Sequence, residues 1–174
     1  DEIIILSLYI GGCSLATHLR NAQNGSLAYD YQKNSKGTWV HNYNTAMEDA
    51  IKDEDWDIIT MQQVSSLSGE ALTYNSDLDY LIDYVNSKKT NKSAVLVWHM
   101  TWAYQSDSTH EEFTRYNKNQ LTMYNAIVNA VKEKIVTNSS FDFIIPSGTA
   151  IQNARTSFMG DNLTRDGYHL TLDL

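Results

Sequence analysis

An α/β domain built on a parallel sheet is what this sequence predicts, and three observations predict it. Short apolar runs recur along the chain, stretches with helical spacing separate them, and small or polar residues follow directly on the runs. Strand alternating with helix implies parallel strands joined by helical crossovers, with helices on both faces of the sheet. The expectation is a central sheet of five parallel strands in one domain spanning residues 1–174.

The strands come in order. "IIILSLYI" (3–10) is a near-continuous apolar run, as for a strand buried on both faces. "SLAYDY" (26–31) is the second, "WDIITM" (56–61) the third and "SAVLVWHM" (93–100) the fourth. "FDFIIP" (141–146) is the fifth, closed by the chain's one proline. Helices fall between them. In 44–52, Met47, Ala50 and Ile51 share a face, and Asn44 reads as the N-cap. Leu78, Leu81, Ile82 and Val85 make an i, i+3, i+4, i+7 stripe over 77–87. Tyr124, Ile127, Val128, Val131 and Ile135 do the same within 114–136. Only five residues follow His169. A doubly wound domain usually finishes with a covering helix, so the expectation is a fragment lacking that helix, or a face covered by something else.

Bulk composition excludes some partners. Formal net charge is −8 with a pI near 4.9, which disfavours nucleic acid, whose phosphates need cations, and anionic membranes. No run reaches transmembrane length, and "IIILSLYI" lacks the basic flank of an intact signal peptide. Cys13 is the single cysteine, so an intrachain disulfide and a cysteine zinc cluster are both excluded. Four Asn-x-Ser/Thr sequons stand at Asn24, Asn91, Asn138 and Asn162.

In a parallel sheet, ligands bind beyond the carboxyl ends of the strands. Four stretches lie there: Gly11–Ser14, Gln62–Ser65, His99–Trp102 and Pro146–Thr149. Five histidines are available as bases: His18, His41, His99, His110 and His169. No two have a helical metal spacing, so neither a metal nor any other cofactor is expected. In "GDNLTRDGYHL" Asp166 precedes His169 by three residues, a spacing that can set a carboxylate against imidazole Nδ1. The same pattern also caps ordinary turns. Ser14 follows a strand and a glycine turn, where helix-start amides could stabilise an oxyanion. A serine there serves equally well as an N-cap. In "QQVSSLSG" (62–69) the glutamine amides could donate to an oxyanion, or be satisfied by their own loop.

Together, "GCS" (12–14), the glutamines after the third strand and "DGYH" (166–169) resemble the SGNH, or GDSL-like, serine hydrolase superfamily. The stretches "IGGCSLATH", "WDIITMQQVSSLSG", "WHMTWAY" and "IPSGTAIQNARTS" through "GDNLTRDGYHL" resemble a bacterial subfamily labelled as a domain of unknown function, over almost the whole chain. The resemblance implies a three-layer flavodoxin-like fold, with Ser14 as nucleophile, His169 as general acid–base and Asp166 orienting it. Ser14 N–H would give one oxyanion contact. Gln63, or failing it Gln62, would replace the family's asparagine as another. The family's Asp is Cys13 here, and its second-block glycine has only Gly37 or the "HNYN" stretch (41–44) to match it.

The function implied is removal of acyl groups, acetyl by expectation, from a carbohydrate or related ester, by a protein secreted or periplasmic like its glycan-active relatives. Trp98, Trp102 and Tyr104 could stack on a sugar or simply pack a loop. Arg155 could hold the substrate or pair with Asp161 or Asp166. A second reading is a carbohydrate-binding domain on the same scaffold that has lost activity. A third, a phosphate- or nucleotide-binding domain, lacks the Lys-Ser/Thr of a P-loop and the G-x-G-x-x-G spacing.

Overall fold

The computed structural model describes residues 3–171. Its strands are β1 (Ile5–Tyr9), β2 (Tyr29–Ser35), β3 (Thr38–Thr45), β4 (Ile58–Met61), β5 (Val95–His99) and β6 (Phe143–Ile145). Its helices are α1 (Leu15–Asn24), α2 (Met47–Lys52), α3 (Asn75–Lys88), α4 (Gln120–Lys134) and α5 (Ser147–Arg155). Short 3₁₀ turns lie at Ser65–Leu67, Ala71–Thr73 and Glu111–Tyr116.

The strands form two three-stranded sheets, not one sheet of five. The order β4-β5-β6 is the parallel one, with Val97, Trp98 and His99 of β5 opposite Phe143, Ile144 and Ile145 of β6. The order β1-β2-β3 is antiparallel throughout. The expected central five-stranded parallel sheet, and with it the flavodoxin-like three-layer architecture, is therefore wrong. The physical reason lies in "NSKGT": Ser35 pairs with Thr38 across Lys36 and Gly37, both at positive φ (53° and 78°). A two-residue turn of that hand joins antiparallel strands, whereas parallel neighbours need a long crossover. Gly37 is thus a hairpin residue and "HNYN" belongs to β3. Asn44, expected as a helix cap, also lies in β3, with φ 58°, and α2 starts at Met47.

By contacts the chain divides into two compact units. The first comprises Asp1–Ile59 and Ser76–Val95. Its core is Leu15, Tyr29, Tyr31, Met47, Ala50 and Ile51 with the α3 stripe Leu78, Leu81, Ile82 and Val85, all buried. That stripe is the one its spacing predicted. Tyr31 OH donates to Asp53 Oδ2 (2.6 Å), and Lys33 bridges Asp53 and Glu54. β3 is exposed along nearly its whole length, and β1 alternates between exposed and half-buried.

The second unit comprises Thr60–Asn75 and Leu96–Leu174. Trp98 is its anchor, 1% exposed, with Tyr74 and Phe141 against its ring. α4 buries Met123, Ile127, Ala130 and Val131, so Met123 and Ala130 stand where Tyr124 and Val128 were expected. The buried positions 123, 127, 130 and 131 form one helical stripe, and Tyr124 and Val128 lie half-buried at its edge. Gly148 sits where an added Cβ would meet Thr101 O at 2.2 Å, so the start of α5 presses on the backbone that follows β5. Its N–H donates to Met100 O (3.0 Å).

Candidate functional site

The second unit gathers polar side chains beyond the carboxyl ends of β4, β5 and β6. Gln62 follows β4, His99 ends β5, and Ser147 opens α5 just after β6. These three are hydrogen-bonded in a line. His99 Nδ1 lies 2.7 Å from Gln62 Oε1, and His99 Nε2 lies 2.9 Å from Ser147 Oγ. A carboxamide oxygen only accepts, so Nδ1 carries the proton and Nε2 accepts from Ser147. Burial lowers the His99 imidazole from the ordinary histidine value, by disfavouring its charged form.

The loop after α5 builds the second feature. Asp166 Oδ2 accepts a hydrogen bond from His169 Nδ1 at 2.7 Å, while its Oδ1 accepts from His169 N (2.8 Å) and Tyr168 N (3.3 Å). Loss of hydration alone would raise the Asp166 carboxyl. The His169 ring and the two backbone amides outweigh that and bring it down to about 2. Nε2 of His169, on a half-exposed ring, carries no hydrogen bond among the described residues. The spacing Asp-x-x-His thus does here what a triad requires of its last two members.

Local sequence explains why the loop holds. Gly167 has φ 92°, and a Cβ there would lie 2.8 Å from Ser108 Oγ. Its N–H donates to Thr164 Oγ1 and its carbonyl accepts from Gln105 N. Arg165 N donates to His169 O, and Thr164 bridges to Leu170, closing the turn. Trp102 Nε1 donates to Tyr168 O (2.7 Å), and the Tyr168 ring packs on Tyr104 and His110. A polar depression of about 300 Å³ adjoins the loop, lined among others by Asp107, Ser108, Thr109, Asn162, Arg165 and Asp166.

Ser14 belongs to the first unit. It is the N-cap of α1, its Oγ accepting from Thr17 N and pairing with Thr17 Oγ1, each at 3.2 Å. The turn before it places Gly12 at φ 66°. Burial pushes the Cys13 thiol up to about 11, against a smaller opposing pull from Arg20. A thiol so placed is protonated at neutral pH and is a poor nucleophile.

Several expected site residues prove to be packing or scaffold. Gln63 is fully buried; its NH₂ goes to Thr73 and its Oε1 to Val64 N, so it is no oxyanion donor. Gln62 is exposed, with its oxygen on His99. Trp98 and Tyr104 are each 1% exposed and offer no face to a sugar. Tyr104 is enclosed by His110, Phe113 and Tyr168. Arg155 is buried on Asp161 and on Ala103 O rather than on a ligand surface. Trp102 alone of the aromatic set stays half-exposed, its edge toward the His99 ring. The remaining histidines are structural or peripheral. His18 stacks on Tyr29 and shares a hydrogen bond with its hydroxyl, His110 caps the 3₁₀ turn at Glu111, and His41 lies exposed on β3. Among the described residues no three His, Cys, Asp or Glu side chains gather as metal ligands would, and no helix is long and apolar enough to cross a membrane.

The sequence does not single out Ser147 as a site residue, and it offers His99 as one base among five. The signal lies in the strand-end rule, which selects both positions: His99 ends β5 and Ser147 follows β6.

Among curated proteins, none matches the chain. A crystal structure of a DUF4886 family protein from Bacteroides uniformis ATCC 8492 is similar to it, with 45% identity and a TM-score of 0.93. The match covers 98% of this chain and 66% of that one, so the chain spans just under two thirds of its relative's length. The family model described as "Domain of unknown function (DUF4886)" matches residues 1–174. That description names a family without naming a reaction. With a match over its full length, the chain belongs to the DUF4886 family.

Proposed function

We propose that the chain is a serine esterase that removes O-acyl groups from a carbohydrate or related ester, as the motif resemblance to SGNH hydrolases implies. The observation that carries this reading is the Asp166–His169 pair at 2.7 Å, with imidazole Nε2 left unengaged among the described residues. An imidazole whose Nδ1 proton is held by a carboxylate presents a basic Nε2 lone pair.

In this mechanism Ser14 Oγ attacks the ester carbonyl while His169 Nε2 takes its proton. The tetrahedral intermediate collapses, its bond to the leaving oxygen breaks, and His169 returns the proton to the departing alcohol. Water then attacks the acyl-serine with the same base and releases the acid. Asp166 stabilises the imidazolium at each stage. Ser14 N–H and the Gln62 NH₂ are the oxyanion donors in this reading. The depression beside Asp166 supports a hydroxylated substrate, since its lining is hydroxyls, two amides and charged groups.

One observation favours a binding role instead: the Ser14 hydroxyl already caps α1. Hydrolysis of p-nitrophenyl acetate, with a fluorophosphonate probe located by peptide mass spectrometry, decides between them. Turnover abolished by Ser14→Ala, with the probe on Ser14, supports the esterase. A folded sample with no turnover and an unlabelled Ser14 refutes it and leaves the carbohydrate-binding reading.

A further inference from the structure

We propose that Ser147 is a second acylatable serine, with His99 as its general base and Gln62 as the positioning residue. The inference uses none of Ser14, Asp166 or His169. It rests on the unbroken line Gln62 Oε1–His99 Nδ1 (2.7 Å) and His99 Nε2–Ser147 Oγ (2.9 Å). Nucleophile within hydrogen-bond reach of a base, and base oriented by a third group, is the arrangement that activates a hydroxyl.

Each part of the line is held by the fold. The three residues stand at the carboxyl ends of adjacent strands in the order β4-β5-β6. The absence of a side chain on Gly148 lets α5 start against Thr101 O, which brings Ser147 over β5. The edge of Trp102 flanks the imidazole, 6.4 Å between ring centroids. Ser147 is half-buried and Gln62 exposed, so the line opens to solvent at one end. At the other, Ser147 lies in the first turn of a nine-residue helix. Helix-start amides favour an anion that develops there.

The step balances as an ester hydrolysis. Ser147 Oγ bonds to the acyl carbon and its proton moves to His99 Nε2. The carbon–alkoxide bond breaks and that proton leaves on the alcohol. Water, giving a proton to His99, then cleaves the acyl-serine to a carboxylic acid and restores the Ser147 hydroxyl. Gln62 is neutral, so it fixes the tautomer without stabilising an imidazolium as a carboxylate would. Such a serine is acylated by activated esters and turns over slowly.

The test is fluorophosphonate labelling, in which Ser147 Oγ bonds to phosphorus and fluoride leaves. Peptide mass spectrometry is run on wild type, Ser14→Ala, Ser14→Ala/His99→Ala, Ser14→Ala/His99→Gln and His169→Ala, each checked for folding by circular dichroism. Label on Ser147 is expected in wild type, Ser14→Ala and His169→Ala. Both His99 changes should slow it about 10²-fold, the ordinary contribution of a general base. His99→Gln keeps an amide able to bond both neighbours, so it separates loss of the base from loss of structure. Folded protein with no label on Ser147, or a Ser147 rate indifferent to His99→Gln, overturns the proposal. Failure of the Ser14 reading appears separately, as an unlabelled Ser14.

Discussion

Replacing Gly167 by alanine tests how the Asp166–His169 loop is held. Two costs follow from the geometry. At φ 92° an alanine occupies a left-handed backbone, a strain of about 1–2 kcal/mol. Its Cβ would also lie 2.8 Å from Ser108 Oγ and 3.0 Å from both Cα and Cβ of that residue, closer than packed atoms approach. Overpacking of this kind costs about 1–3 kcal/mol. The sum is roughly 3 kcal/mol, and in a protein of this size each kcal/mol lowers Tm by about 2–4 °C, so the fall should be roughly 6–12 °C. Thermal melts followed by circular dichroism read it. The same change made in a Ser108→Gly background removes the Oγ and Cβ contacts, keeps the one with Cα, and should therefore cost less than in wild type. A Tm unmoved by Gly167→Ala, or an equal loss in both backgrounds, would refute the reasoning.

Three further outcomes follow. Asp166→Asn should cut ester hydrolysis about 10³- to 10⁴-fold by letting the wrong imidazole tautomer form, as steady-state kinetics show. Because the folded carboxyl sits at about 2, its stabilising contribution is present above the unfolded aspartate value, near 4, and is lost as pH falls from there through 2. The stability difference between wild type and Asp166→Asn should therefore narrow across that window in urea titrations. Ser14→Ala should abolish turnover and also cost about 1 kcal/mol as a lost N-cap, whereas Cys13→Ala should leave most activity, and the Cys13 thiol should alkylate far more slowly at pH 7 than a free cysteine. Trp98→Ala should cost about 3–5 kcal/mol in urea unfolding, the penalty of emptying a buried aromatic site, and this would mark Trp98 as core and not a sugar platform.

What could be read from the residues follows from the range of the forces involved. The α3 stripe was legible because helical periodicity is local and its four apolar residues all find one face. Asp166–His169 was legible for the same reason: three residues of spacing suffice to bring a carboxylate to Nδ1. Sheet partners were not, because pairing is long-range; "IIILSLYI" reads as doubly buried, yet β1 pairs antiparallel with β2. The turn at Lys36–Gly37 carries that information, although the resemblance offers Gly37 only as a match to the family's second-block glycine. Trp98, Tyr104 and Arg155 show a second limit. Residue type alone does not distinguish an aromatic or a cation facing a ligand from one facing the core, and here the core took all three.

Trp102 touches both histidines' surroundings: its ring edge approaches His99, and its Nε1 holds the Tyr168 carbonyl next to His169. A single codon therefore governs two proton acceptors. Substitution at this position would be pleiotropic, altering the neighbourhood of His99 and the anchorage of the His169 loop in the same stroke. Whichever histidine serves the chemistry, neither could be retuned through residue 102 in isolation, and an engineer wishing to change one alone must work from Gln62 or from Asp166.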